Sequence, residues 1–451
     1  MILAFEVKNY RSFAESASLH FTKRFLKTNH PSDGDWVAAT NRVAGLFGPN
    51  ASGKTTLLEA LWELCTYPVV SMRSDKLLRS MYKPHRLQED REVEFFLDFE
   101  YQGKRFRWEL LLDNEGITYE HAEVNETGQW KKIFERNENA VTFGGGSLVS
   151  RAARNFIRQG ATSWVSVVAP WGKSQNPGEY VEAFVNLCES AEFISPHSRL
   201  LGGLSPKLQK MLDDRSWGQL ATPVMHFADV GVSALKKEEK ETPELQRKLF
   251  KSIFALIESS ELAPSADDVD EIPIPDKENV WTFVHSGAPG DTFELNVVDE
   301  SLGTVSWLET ALPALEIISR GGLMIVDELD SSLHPMLVRQ LISLFEDEEI
   351  NWRGAQLAFS SHDLTLLGNF PKPALTMDSA WLCEKINGAS KIRSIDEYKL
   401  PSTANAEKRY MQGVFGAVPL VPQRKVASGF YELFRDLHSK SFETDENRED
   451  K

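Results

Sequence analysis

Gly48-Pro49-Asn50-Ala51-Ser52-Gly53-Lys54-Thr55-Thr56 is a complete G-x-x-x-x-G-K-[ST] phosphate loop. The apolar run Val43 to Phe47 before it suits a short buried strand, and Thr56 to Leu64 after it opens an amphipathic helix. A chance glycine-rich turn would not need both neighbours. Gly48 and Gly53 permit the tight backbone path, with Pro49, Asn50, Ala51 and Ser52 forming the body of the loop between them. Its amide N–H groups and the helix N-terminus, from Lys54 to Thr56, are expected to face the phosphates of ATP. Lys54 reaches the outer phosphates, and the Thr55 hydroxyl is placed for Mg²⁺.

Working outward, the chain has 451 residues, 41% hydrophobic and 26% charged, enough for two or three domains with a sizeable core. Met1 to Lys8 alternates like a strand and meets a charge at Glu6, which fits neither a signal peptide nor an anchor, and no apolar stretch is long enough to span a bilayer. Cys65, Cys188 and Cys383 are odd in number and far apart, which argues against a disulfide framework or a thiolate zinc site. A cytoplasmic protein is expected. The formal net charge of -16 excludes a protein that coats nucleic acid through its overall field. A local basic cluster remains, from Arg73, Lys76, Arg79, Lys83, His85, Arg86 and Arg91 to Lys104, Arg105 and Arg107. It is either a solvated face or a contact for nucleic acid or an acidic partner.

Residues 1–150 form the expected N-terminal ATPase lobe. A strand, turn and strand over Ile2 to Phe21 precede the phosphate loop, and an antiparallel meander follows over Val93 to Tyr101, Lys104 to Leu112 and a strand after the Asp113 to Gly116 turn. Residues 151–275 lose the strand signature. Helical spacing such as Leu245, Leu249, Ile253, Leu256 and Ile257 marks a helical insertion, and Pro264 to Pro275 marks a linker. Strands return at Trp281 to His285 and Thr292 to Val298, then a helix over Val305 to Ile318 and strands Leu323 to Val326, Gln356 to Phe359 and Ala380 to Lys385. These make 276–437 the C-terminal ATPase lobe. The charged tail 438–451 is expected to be disordered.

Leu323-Met-Ile-Val-Asp327-Glu328 is an apolar strand ending in two carboxylates, as on the metal-side strand of a phosphate-loop ATPase. Asp327 is expected to hold Mg²⁺, directly or through water, and Glu328 to polarise the attacking water as general base. Alone, such a pair is a common strand end; the phosphate loop upstream gives it meaning. Glu300-Ser301-Leu302-Gly303-Thr304 forms a short Ser-x-Gly turn before a helix, where hydroxyl, N–H groups and helix dipole suit a phosphate. His362 follows a buried strand in Ser360-Ser361-His362-Asp363; by itself it reads better as a satisfied core histidine, a preference that the order of the surrounding motifs reverses.

Phosphate loop, Ser-x-Gly turn, acidic strand with the following Leu329 to Pro335, and His362 occur in the order that resembles ABC-type ATPases of chromosome maintenance and repair. The resemblance implies an α/β, ABC-type (SMC/RecF/OLD-like) P-loop ATPase head with an antiparallel β lobe and a helical insertion. It also implies ATP-dependent dimerisation, with Ser301 and Gly303 acting in trans and His362 contacting the γ-phosphate. A closer resemblance is carried by Asn9-Tyr10-Arg11-Ser12-Phe13, Phe134-Glu135-Arg136, Phe227-Ala228-Asp229-Val230-Gly231-Val232, Glu300 to Thr304, Asp327 to Pro335, Asn405-Ala406-Glu407-Lys408 and Gly416-Ala417-Val418-Pro419. Together these resemble the AAA15 family of bacterial ATPases, which includes the RloA, AbiL and PARIS ATPase components of anti-phage defence and abortive infection. That resemblance implies a homo-oligomer of at least two copies. It further implies a separately encoded toxin or nuclease effector, a DNA or phage-protein trigger, and no membrane partner. Leu302 departs from the family, which usually has an acidic residue there. Gln88 is a candidate for the glutamine loop, with a surface glutamine as the alternative. Asn405 to Pro419 is either a packed turn or an effector-docking site. A DNA-repair ATPase is the competing function. A fused nuclease is disfavoured, because residues 363–451 carry no carboxylate cluster and no Cys/His arrangement.

Overall fold

Hydrophobic alternation divides the chain between two sheets. In the computed structural model the described residues are 1–23, 26, 28–70, 78–126, 128–138, 140–145, 179–195, 203–228, 231–241, 277–288, 291–401, 404–416, 430–431 and 434–435. With strands numbered in chain order, β1 (Ile2–Lys8), β2 (Ala17–His20), β4 (Val93–Tyr101), β5 (Lys104–Leu112), β6 (Ile117–Asn125), β7 (Trp130–Asn137) and β8 (Ala140–Phe143) form a seven-stranded sheet in the order β2-β1-β4-β5-β6-β7-β8. Every pairing in it is antiparallel. Gln102 and Gly103, both at positive φ, turn β4 into β5. Phe106, Trp108, Leu110 and Leu112 of β5 point to the core at the two-residue spacing of a half-buried strand. Beneath them Glu120 and Arg136 form a fully buried ion pair at 3.4 Å, and the Trp108 indole N–H donates to Glu120 at 3.1 Å. This accounts for Phe134-Glu135-Arg136: Phe134 packs in the core and Arg136 neutralises Glu120.

The second sheet holds β3 (Val43–Phe47), β9 (Ala191–Ile194), β13 (Leu323–Val326), β14 (Gln356–Ser360), β15 (Ala380–Ile386) and β16 (Ala389–Ser394), ordered β16-β15-β3-β14-β13-β9. All neighbours are parallel except β15 and β16. Both faces are covered, so β3, β13 and β14 are wholly buried and apolar or small apart from Gln356, whose amide is satisfied by the Ile2 backbone. Alternate residues serve opposite cores. Leu323, Ile325 and Ala358 face the antiparallel lobe with helices α2 (Lys54–Val70) and α3 (Glu179–Ser190). Met324, Val326, Leu357 and Phe359 face helices α4 (Pro206–Asp213), α5 (Arg215–Phe227), α6 (Leu302–Arg320), α7 (Pro335–Glu346) and α8 (Ala406–Met411). Each of these side chains except the small Ala358 contributes ~1.5–3 kcal/mol on burial. The one-turn helix α1 (Trp36–Ala39), capped by Asp35, leads into β3.

A three-stranded antiparallel ribbon, β10 (Val232–Glu241), β11 (Lys277–Ser286) and β12 (Thr292–Asn296), stands beside α5 and leads into α6. In residues 151–275, read from sequence as helical, α3, α4 and α5 are accompanied by β9, an edge strand of the core sheet, and by β10. Helical spacing over 245–257, the linker 264–275 and the tail 438–451 lie outside the described residues. No described helix is long and apolar enough to cross a membrane.

Candidate active site

β3, β13 and β14 are parallel, so their C-terminal ends open on one edge of the sheet, where α/β proteins bind ligands. The phosphate loop leaves β3, Asp327 and Glu328 leave β13, and His362 leaves β14, which runs between the other two. Topology thus brings together three motifs more than 270 residues apart at the extremes: Thr55 Oγ1 donates to Asp327 Oδ2 at 2.9 Å and lies 3.1 Å from Oδ1.

The loop has the backbone its motif requires. Gly48 has φ 150°, and a Cβ there would lie 2.1 Å from the Cys383 carbonyl; Gly53 has φ 107°, and a Cβ would meet Ser390 Oγ at 2.7 Å. Ala51 also adopts positive φ, 59°. Among the described residues the amides of Asn50, Ala51 and Gly53 find no hydrogen-bond acceptor, a set of donors of the kind that receives anions. Lys54 is buried, and its ammonium donates to Gly48 O at 2.9 Å and Pro49 O at 3.2 Å. Burial lowers its pKa from the usual lysine value; Cys383 and then the carboxylates of Asp327, Glu328 and Asp330 oppose that shift. Burial pushes the Cys383 thiol up to about 12, so it stays protonated and inert. Ser52 is buried and Thr56 half-buried in the first turn.

Ser360, quoted above without a role, ties the two carboxylate residues to the neighbouring strand. Its hydroxyl donates to Asp327 Oδ1 at 2.5 Å and accepts the Glu328 N–H at 2.8 Å, while its carbonyl accepts the Leu329 N–H at 2.9 Å. Those bonds hold Glu328 at φ 50°, a left-handed conformation that costs a non-glycine residue about 1 kcal/mol or more. Asp330 accepts the His362 N–H at 3.1 and 3.2 Å, fixing the backbone of His362, whose side chain is exposed. Arg339 of α7 holds the segment after it through Thr365 O and, at 2.9 Å, Lys372 O.

The Ser-x-Gly turn is elsewhere. Ser301 caps α6, its hydroxyl accepting the Thr304 N–H at 3.0 Å, and it lines a cavity with Phe227, Gly303, Ser332, His334 and Met336 that no phosphate-loop residue borders. Ser301 is exposed, Leu302 is 71% exposed, and a Cβ on Gly303 would lie 3.0 Å from Ser332 O. The Ser301 N–H, expected from sequence to be open to a ligand, is taken by Glu300 at 2.8 Å, which leaves the hydroxyl and the remaining first-turn amides as the polar groups of this face.

Other landmarks are structural links. Asn9, at φ 53°, ties the 85–92 turn through three carbonyls and the His85 N–H; Tyr10 donates to Glu63 of α2 at 2.8 Å, and Arg11 pairs with Glu59. Gln88 sits half-buried in that turn, its N–H donating to His85 O at 2.7 Å. Five of the eight described members of the basic cluster are paired within the chain: Lys83 with Glu63, Arg86 with Glu89, Lys104 with Glu126, and Arg105 and Arg107 with Asp98. Arg73 and Lys76 lie outside the described residues. In the C-terminal landmarks, Asn405 caps α8, Tyr398 donates to Phe415 O at 3.1 Å, and Glu407 abuts Gly368 just past His362; 417–419 lie outside the described residues.

Among the described residues no three His, Cys, Asp or Glu side chains cluster to hold a metal. Thr55 and Asp327 nevertheless fit Mg²⁺, an ion that takes one or two protein oxygens and completes its shell with phosphate and water.

A phosphate loop on β3, a carboxylate strand one strand away and an antiparallel lobe against α2 define an ABC-type P-loop ATPase head. A family model described as "AAA domain, putative AbiEii toxin, Type IV TA system" matches residues 43–368, and the chain belongs to that family. No curated protein matches the chain. Among solved structures, it is similar to the SMC head domain from Thermotoga maritima, with 11% identity, TM-score 0.39, and coverage of 87% of this chain and 98% of that one. The Pyrococcus furiosus Smc head domain with an extended coiled coil, bound to the C-terminal domain of ScpA, gives 9% identity, TM-score 0.37, and coverage of 88% and 97%.

Proposed function

We propose that this chain is the ATPase component of a bacterial anti-phage defence system of the abortive-infection type. It binds and hydrolyses ATP in composite sites between two copies and thereby controls a separately encoded effector. The observation that carries this reading is the division of polar groups. Thr55, Asp327, Glu328 and Ser360 are knit together on one edge of the core sheet, while Ser301 and Gly303 are presented on a surface of their own.

Lys54 would exchange its two carbonyl partners for phosphate oxygens, and the unpaired loop amides would take the remaining phosphate charge. Thr55 and Asp327 would hold Mg²⁺, which when bound neutralises charge on the phosphates. Glu328, fixed through Ser360, would accept a proton from the attacking water, and His362, its backbone held by Asp330, would contact the γ-phosphate. Ser301 of a second copy then caps the nucleotide. The family's description through a toxin of toxin-antitoxin systems supports the defence context. Internal pairing of Lys83, Arg105 and Arg107 weakens the competing DNA-repair reading, which needs those cations for phosphates.

Nucleotide binding, sedimentation and growth assays test the proposal together. Lys54→Ala is expected to lower ATP affinity at least ~100-fold, by loss of a charge-assisted contact and the loop's internal bonds. Expression of the chain alone is expected to leave growth intact, with arrest only when the adjacent gene is also expressed; arrest by this chain alone would make it the toxin itself.

A further inference from the structure

Glu300, the residue before the Ser-x-Gly serine, is gripped from two directions. Its Oε1 accepts the Ser301 N–H at 2.8 Å, and its Oε2 meets His285 Nε2 at 2.6 Å. Both side chains are nearly withdrawn from water, 11% exposed for His285 and 5% for Glu300. A carboxylate oxygen accepts hydrogen bonds, and an imidazole with its hydrogen on Nε2 is the donor this contact calls for. The ring is itself held: His285 is on β11, the middle strand of the ribbon, opposite Val232 and Phe293, and the Phe293 ring stacks on it at 5.1 Å and 11°.

This clamp serves the first turn of α6, not the phosphate loop. Ser301 Oγ is shared between the Thr304 N–H at 3.0 Å and Thr304 Oγ1 at 2.7 Å, so the direction of the hydroxyl follows the path of the backbone at Glu300 and Ser301. A free carboxylate at Glu300 would also repel a triphosphate approaching the next residue; two hydrogen bonds, one from an imidazole and one from an amide, tie that charge down. We propose that His285 is a positioning residue for ATP turnover: through Glu300 it orients Ser301 and the α6 N-terminus toward the nucleotide on a second copy of this chain. It touches no nucleotide. The inference rests on the composite-site reading given above.

The test uses the full chain. His285→Leu is expected to keep the nucleotide affinity of the isolated chain within twofold, while ATP-dependent association in the Glu328→Gln background weakens at least tenfold and kcat of the otherwise native chain falls tenfold at unchanged KM. His285→Gln, whose amide N–H reaches the same carboxylate, is expected to restore both to within threefold. Glu300→Ala, which removes the acceptor without disturbing the ribbon, should reproduce the loss. Mixing Lys54→Ala chains with His285→Leu chains pairs one intact phosphate loop with one intact Ser-x-Gly turn, and activity above either component is expected. Association of His285→Leu equal to its parent, or no rescue by His285→Gln, would overturn the proposal. If the Glu328→Gln parent itself fails to associate with ATP, the composite-site reading falls. The clamp is then judged by hydrogen exchange at Ser301: faster exchange in His285→Leu, restored in His285→Gln, supports it, and unchanged exchange overturns it.

Discussion

The phosphate-loop edge and the Ser-x-Gly face of this molecule hold comparable chemistry in opposite ways. At the edge, Thr55, Asp327, Glu328 and Ser360 satisfy one another, and the strands beneath them are buried on both sides. At the face, Ser301 and Leu302 are exposed, and the polar groups are tied only to their own turn and to the ribbon. A site complete within one chain can bind ligand alone. The other face presents a capped helix end beside exposed Phe227, Leu302 and Met336, groups that a second copy would cover on the reading proposed above.

That contrast can be broken most sharply at Glu328. Glu328→Gln is expected to cut hydrolysis about 10²–10⁴-fold, the range for loss of a general base, while ATP stays bound and copies remain associated. Steady-state phosphate release and sedimentation with ATP check it, and an unchanged rate would remove Glu328 from the chemistry. Ser301→Arg, placing bulk and charge on the open face, is expected to lower turnover ~100-fold through lost electrostatic stabilisation, with nucleotide affinity of the isolated chain unchanged by calorimetry. An equal loss of monomer affinity would mean the two regions are not separable. Ser360→Ala should act on the closed edge alone. Removing one hydroxyl that serves both Asp327 and Glu328 is expected to cost ~1–3 kcal/mol in chemical denaturation and to weaken Mg²⁺-dependent nucleotide binding.

The smallest effect belongs to the antiparallel lobe. A hydrogen bond from Tyr180, then Lys131 and Lys104, holds the Glu126 carboxyl down at about 2 from its usual 4.5. A depressed acid stabilises the fold above its ordinary pKa, and that contribution disappears as pH falls from about 4.5 toward 2. Because the group is partly exposed, Glu126→Gln should flatten the acid limb of the melting curve by ~1 kcal/mol or less. A larger change would show that this pair, and not the core, secures α3.

Much of the closed edge was legible because its signals are local. The apolar run Leu323 to Val326 ending at Asp327, and the Gln102-Gly103 turn between two alternating runs, each fix an element without knowledge of its neighbours. The pairing of the basic cluster was partly within reach, since the hairpin register about that turn sets Asp98 opposite Arg107. Ser360 was not: a serine at the end of a buried strand looks the same whether it closes the strand or holds two carboxylate residues of its neighbour. β10 escaped because Lys236 to Glu241 carries charge on every residue and no apolar period. β9 escaped because four half-buried residues give too short a pattern, and the His285 to Glu300 bond escaped because its partners lie on different elements.

Lys54 donating to Gly48 and Pro49 also sets an admission threshold. Any anion entering the loop must outbid two carbonyl groups for the ammonium, a competition worth roughly 1.5–3 kcal/mol for each charge-assisted bond. A polyphosphate can offer one phosphoryl group to the ammonium and another to the loop amides, so its oxygens can replace both carbonyls together. Entry into the loop is therefore an exchange of partners at Lys54, not the filling of an idle cation.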